Sequence, residues 1–174
     1  MKRVLPLLLL LAGCAATPVA APPSTTTTTT TETTVATTSP RIDTPHKLPA
    51  GPCLLLAAAD FETPLATAPE PFPDLPRSCT FREGTGADSD LFVIVQFADA
   101  YAKPENAHET LLKGHTMAVS FASGPGIEEG TYLVAVNAAE SFRIILSLRN
   151  SNSSQVAMIA QGKVQQAFAR LVTS

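Results

Sequence analysis

Hydrophobic and polar positions divide this chain into three stretches. From Val4 to Ala12 the residues are almost continuously apolar, with Pro6 the only irregularity. From Ala15 to Pro52 no apolar period is found. From Cys53 onward, short apolar runs and helical spacings follow one another to the C-terminus. One globular domain is therefore expected over residues 53–174, a length ample for a single core.

Within that domain, Cys53-Leu54-Leu55-Leu56-Ala57-Ala58-Ala59-Asp60-Phe61 is rich in helix formers. It predicts a short helix over about 54–62, ended by Pro64. Pro64, Pro69, Pro71, Pro73 and Pro76 predict an extended, polyproline-like connection. Cys79-Thr80-Phe81-Arg82 starts a strand, and Gly84 to Asp90 forms a loop. Leu91 to Phe97, β-branched and aromatic, is the most clearly marked strand. Pro104 to Lys113 reads as a helix, with proline in its first turn, Glu105 near its start and Gly114 as its stop. Met117 to Phe121 is a strand, Gly124-Pro125-Gly126 a turn, and Tyr132–Val136 pairs with Phe142–Leu148 as a hairpin.

The last segment is the best helix. Asn152 and Gln155 form a capping box. Val156, Ile159, Ala160, Val164, Ala167, Phe168 and Leu171 make one apolar face. Gly162 costs about 1 kcal/mol against alanine there, which marks it as a close-packing position. The order α-β-β-α-β-β-β-α defines an α+β fold: an antiparallel sheet of about five strands with helices packed on it.

The first apolar run explains itself through its neighbours. Lys2 and Arg3 precede it, and it falls short of the ~20 residues that span a bilayer. Leu11-Ala12-Gly13-Cys14 at its end resembles the bacterial lipobox. That resemblance implies a signal peptide over residues 1–13 and a diacylglyceryl group on Cys14, which becomes the first residue of the mature chain. Two acyl chains anchor stably where one holds only marginally.

Residues 14–52 then form a linker whose centre is the run Thr25 to Thr31, with prolines scattered along it. Such a tract cannot bury enough apolar surface to offset its ordering entropy, so disorder is expected. His46 lies in it and is expected to be solvated. The stalk is either O-glycosylated or a bare spacer.

Loss of Lys2 and Arg3 with the signal leaves 10 basic residues against 15 acidic ones, a net charge near −5. No basic cluster invites nucleic acid. Of three cysteines, Cys14 is assigned to lipid, and Cys53 with Cys79 is left for a disulfide in an oxidising compartment.

Candidate chemistry is thin. Asp88 and Asp90 alternate as in a calcium loop but lack the glycine and glutamate that such a loop needs. His108 and His115 lie seven apart, with Gly114 between them, and do not make a metal set. Glu128-Glu129 sit in a glycine-flanked loop. No nucleophile motif or phosphate loop is present. No catalytic residue, cofactor or metal is expected.

Pro52-Cys53-Leu54-Leu55-Leu56, then Cys79-Thr80-Phe81, then the turn Gly124-Pro125-Gly126-Ile127-Glu128-Glu129, then a final helix, resemble the DUF3558 family of actinobacterial lipoproteins. The resemblance spans most of residues 52–172. The chain departs from it at Phe81, where tryptophan is more usual, and in its proline-rich insert. It implies a lipid-anchored envelope protein and transfers no catalytic residue.

The expected function is a non-enzymatic binding or accessory module, monomeric and anchored to the outer face of the bacterial cytoplasmic membrane. Its expected partners are the membrane itself and an envelope protein or a hydrophobic small molecule. A carrier of an envelope lipid or glycolipid is the second reading, and a cell-wall hydrolase the third.

Overall fold

The computed structural model describes residues 39–84 and 90–173. Residues 1–13, Cys14, the threonine tract and Asp88 lie outside the described residues. The elements are β1 (His46–Lys47), two 3-10 turns (Pro52–Leu54 and Ala58–Asp60), β2 (Ser78–Glu83), β3 (Leu91–Ala98) and β4 (His108–Leu112). They continue with β5 (His115–Gly124), β6 (Ile127–Ala135), β7 (Ser141–Arg149), α1 (Ser153–Ala169) and β8 (Val172–Thr173). β1 and β8 form a small antiparallel ribbon. The other six strands form one antiparallel sheet in the order β2-β3-β7-β6-β5-β4. The class is α+β, as the pattern predicts, with one more strand in the main sheet and, among the described residues, a single α-helix.

Register decides which residues meet the core. One cross-strand row runs Phe81, Val93, Leu146, Gly130, Phe121, and the next runs Cys79, Val95, Ile144, Tyr132, Val119, His108. Most of these are buried and belong to one apolar cluster. Helix α1 lies on this face, over β6 and β7. It starts on the expected capping box, with Asn152 and Gln155 each bonding the other's backbone N–H. Val156, Ala160, Val164, Ala167 and Phe168 point into the core as predicted. The Pro52–Leu54 turn packs beside them over β2 and β3. The opposite face is crossed by residues 99–107, which carry the chain from β3 to the far edge. There Ala107 joins Ala118 and Leu133 in a small second cluster, with Tyr101 packed against it.

Both other predicted helices are corrected. Residues 108–112 are strand β4, not helix. A segment this short is a marginal helix without a well-aligned apolar stripe. Lys113 and Gly114 take left-handed φ values of 47° and 83°, the geometry of a type I′ two-residue hairpin. That turn pairs Leu112 with His115 and buries Leu112 in the core. Residues 54–62 break into two 3-10 turns because Ala57 is extended between them, its N–H held by the Asp60 carboxylate at 2.6 Å. The break lets both Leu55 and Leu56 reach the core. Cys53 and Cys79 form the expected disulfide, with Cα atoms 5.1 Å apart. The proline-rich segment between them runs along the β2 edge, bridging Leu65 to Glu83 and Glu70 to Thr80.

The expected domain start at residue 53 also moves. Ile42 bridges His115, the His46 N–H donates to the Val136 carbonyl at 3.2 Å, and Asn137 donates to the His46 carbonyl at 2.9 Å. Thus residues 40–48 strap the domain, and His46 is not solvated. Its ring packs 5.1 Å from both His115 and Phe168. Apolar periodicity could not reveal this strap, because a two-strand ribbon gives it too few positions to show a period.

Candidate functional site

The groove beside β4 follows from what covers the sheet. Helix α1 sits over β6 and β7, and the first 3-10 turn over β2 and β3. Over β4 and the outer half of β5 a groove of about 550 Å³ is left. Its floor is Leu112, Met117, Val119 and Tyr132. Its far wall is Ala157, Gln161, Val164 and Gln165, which recur at helical spacing on α1. Thr110 and Leu111 form the rim on β4, with Phe121 and His108 at one end and Lys113 at the other. The groove is open, in the size range of ligand pockets. Phe121 stands edge-on to Tyr132, centroids 6.1 Å apart. Burial pushes the Tyr132 hydroxyl above its ordinary pKa.

Exposed apolar residues gather around this side. Phe121 is 41 % exposed and Met158 70 %, while Leu111, 51 % exposed, projects from the same edge strand toward the other sheet face with Glu109. β4 is also a sheet edge. The tight turn makes Leu112 and His115 a bonded pair, so alternation turns the backbone of Glu109 and Leu111 away from β5. Neither finds a backbone partner among the described residues. Native edges are commonly covered or blunted, and β2, the other edge, is covered by the proline-rich segment.

The residues singled out from sequence do not converge. His108 pairs with Val119 and is exposed, whereas His115 is fully buried with Nδ1 2.7 Å from the Ala135 carbonyl. Among the described residues no three His, Cys, Asp or Glu side chains are placed to hold a metal. Glu128 and Glu129 lie on opposite sheet faces, where Ser123 donates to Glu128 at 2.8 Å and Ser147 to Glu129 at 3.2 Å. Asp90 is exposed, and its carbonyl accepts from the Arg149 N–H at 3.0 Å. On the far face, Tyr101 donates to Glu109 at 2.6 Å, and burial together with that carboxylate raises its pKa strongly.

A second polar cluster pins the 3-10 turns to α1. Arg170 makes a bidentate pair with Asp60, at 2.6 and 3.0 Å, and also donates to the Leu55 carbonyl at 3.0 Å. Lys163, only 5 % exposed, donates to the Asp60 carbonyl and lies 4.1 Å over the Phe61 ring. Burial holds its pKa below the usual lysine value. This cluster is partly buried and structural.

Sequence reasoning missed Lys113, Gln161 and Gln165. The two glutamines lie on the polar side of a correctly read helix, and nothing in the pattern says that this side borders a groove. Lys113-Gly114 carried a usable signal, since a lysine-glycine pair between Leu112 and His115 also fits a hairpin turn.

No protein-family model, curated protein or solved structure matches the chain. No helix among the described residues is long and apolar enough to cross a membrane. The class that geometry defines is an α+β domain with an open groove, apolar in its floor and polar at its rim, beside a sheet edge.

Proposed function

We propose that this protein is a lipid-anchored lipoprotein of the bacterial cell envelope whose domain is a non-enzymatic binding module. Cys14 holds it at the outer face of the cytoplasmic membrane, and the DUF3558 resemblance supports the same address. The observation that carries the binding reading is the groove between β4, β5 and α1, bordered by exposed Phe121. A filled apolar core lies beneath it, so the recognition surface is an open side rather than an enclosed chamber. An apolar floor with a few polar rim groups also favours the second reading, a carrier of a hydrophobic envelope molecule.

In-cell photocrosslinking tests the site. A benzophenone amino acid replaces Phe121 or Gln161 in the full chain, with exposed Ala139 on the β6–β7 hairpin as control. Discrete adducts at the two groove positions and none at Ala139 are expected, and their masses separate a protein from a small molecule. Equal labelling at all three positions, or none at the groove, removes the groove from the function.

A further inference from the structure

Apart from the Tyr132 hydroxyl, the ionisable side chains lining the groove are Lys113 at one end and His108 at the other, with no carboxylate. This is a local exception in a chain with more acidic than basic residues. Lys113 makes no ion pair among the described residues. Its ammonium leans over the Phe168 ring, 5.8 Å from the centroid, where α1 meets the groove. Glu109, the acid next along β4, points to the other sheet face and is held by Tyr101.

The groove is also linear. Residues 108–112 of an extended strand span ~14 Å at about 3.4 Å per residue. Residues 157–165 of the helix span ~12 Å at about 1.5 Å per residue. Its floor is apolar along that length, with Met117 as an adaptable filler, and its rim is polar. At roughly 30 Å³ per heavy atom, water's share of liquid volume, the space takes about 18 heavy atoms. That suits one unbranched chain lying in the groove.

We propose that the groove binds a free single-chain fatty carboxylate of roughly 12–16 carbons, its chain along β4 and its carboxylate on the Lys113 ammonium. The inference rests on the groove being the binding surface. The chain lies over Leu112, Met117, Val119 and Tyr132. Thr110, Gln161 and Gln165 leave the rim wet, so the occupant exchanges with solvent rather than being sealed in. An extended peptide is disfavoured, because its backbone would pair in the sheet plane with Glu109 and Leu111, beside the groove rather than in it.

The test uses the full chain exported with Cys14→Ser, titrated calorimetrically with sodium myristate. Tetradecanol and tetradecyltrimethylammonium serve as neutral and cationic counterparts, all below their aggregation limits. One equivalent of myristate is expected to bind, more tightly than either counterpart. Lys113→Asn keeps a favoured type I′ turn and should weaken myristate about tenfold while leaving tetradecanol unchanged. Lys113→Arg should retain the preference. Thr110→Trp, at an exposed rim position, should abolish binding of all three by filling the space. Absent myristate binding overturns the proposal, as does preference for the cation. Several equivalents indifferent to both Lys113→Asn and Thr110→Trp mark adventitious binding and also overturn it. If myristate fails while crosslinks at Phe121 and Gln161 persist, the fatty carboxylate falls and the groove stands.

Discussion

Gly162 on α1 and Gly130 on β6 differ in what surrounds them. Gly162 is read from sequence as a close-packing position, yet a methyl group there meets nothing within 4 Å. Gly130 on β6 is the close one, since a Cβ would come 2.8 Å from Val156 Cγ1. Gly162→Ala should therefore raise stability by about 0.5–1 kcal/mol, and Gly130→Ala should lower it by about 1–3 kcal/mol. Urea midpoints at unchanged slope check both, and an unchanged midpoint for Gly162→Ala would contradict the open surroundings. Asp60 is the residue with a pH signature. Burial raises its carboxyl, but bonds from Arg170 and the Ala57 N–H outweigh that and hold it below the ordinary 3.8. A carboxyl depressed in the folded state stabilises above its unfolded value and loses that contribution as pH falls through the folded one. Asp60→Asn should cost about 1.5–3 kcal/mol near neutrality and flatten the decline below pH 4. An acid profile identical to that of the unsubstituted chain would refute this role.

Elements were legible where one strong pattern had no rival. Leu91–Phe97 is buried on alternate positions and half-buried or buried on the rest, and α1 has both its box and its stripe. The segment 104–113 failed because proline, glutamate and glycine fit a helix locally, while the I′ turn at Lys113-Gly114 supplied a strand partner that local reading does not weigh. That one error hid the site, since the groove exists only because residues 108–112 form an edge strand that α1 does not cover. Residues 54–62 failed for a related reason: two adjacent leucines must both reach the core next to a cross-link. The cross-link itself was legible from cysteine arithmetic. Its separation of 26 residues corresponds, by chain-entropy reasoning, to about 3–4 kcal/mol. The proline-rich segment it closes touches the sheet through the bridges at Leu65 and Glu70, through Phe72 set edge-on to Phe92, and through the Ser78 hydroxyl, which donates to the Leu75 carbonyl at 2.6 Å. Reduction should therefore shift the urea midpoint clearly. Two titratable thiols in the unreduced protein would remove the bond, and an equal midpoint after reduction would remove its stabilising role.

At the scale of the whole molecule, the strap links the domain to everything that precedes it. The Arg41 N–H donates to the Thr116 hydroxyl at 2.7 Å, and Thr116 N–H returns a bond to the Arg41 carbonyl at 2.8 Å. A side chain at Gly114 would collide with Asp43, and Leu48 packs on the core. A chain begun at Ser39 should thus match the mature protein in stability. One begun at Cys53 should lose about 3 kcal/mol, from Ile42, His46 and Leu48 together, each only partly buried. Equal midpoints for the two would mean that the strap is not part of the fold. This placement constrains the anchor. A lipid on Cys14 leaves 24 residues before Ser39. Fully extended, 24 residues reach at most about 80 Å. The domain would then be tethered through the end of the sheet where the β4–β5 turn carries Lys113. The groove would work within that reach of the bilayer, the source and sink of single acyl chains. Cys14→Ser should release the exported protein from the membrane fraction and change its cleavage site, since lipid attachment precedes the cut. Persistent membrane association of Cys14→Ser with unchanged processing would sever the tether from the argument, leaving the groove to be explained in solution.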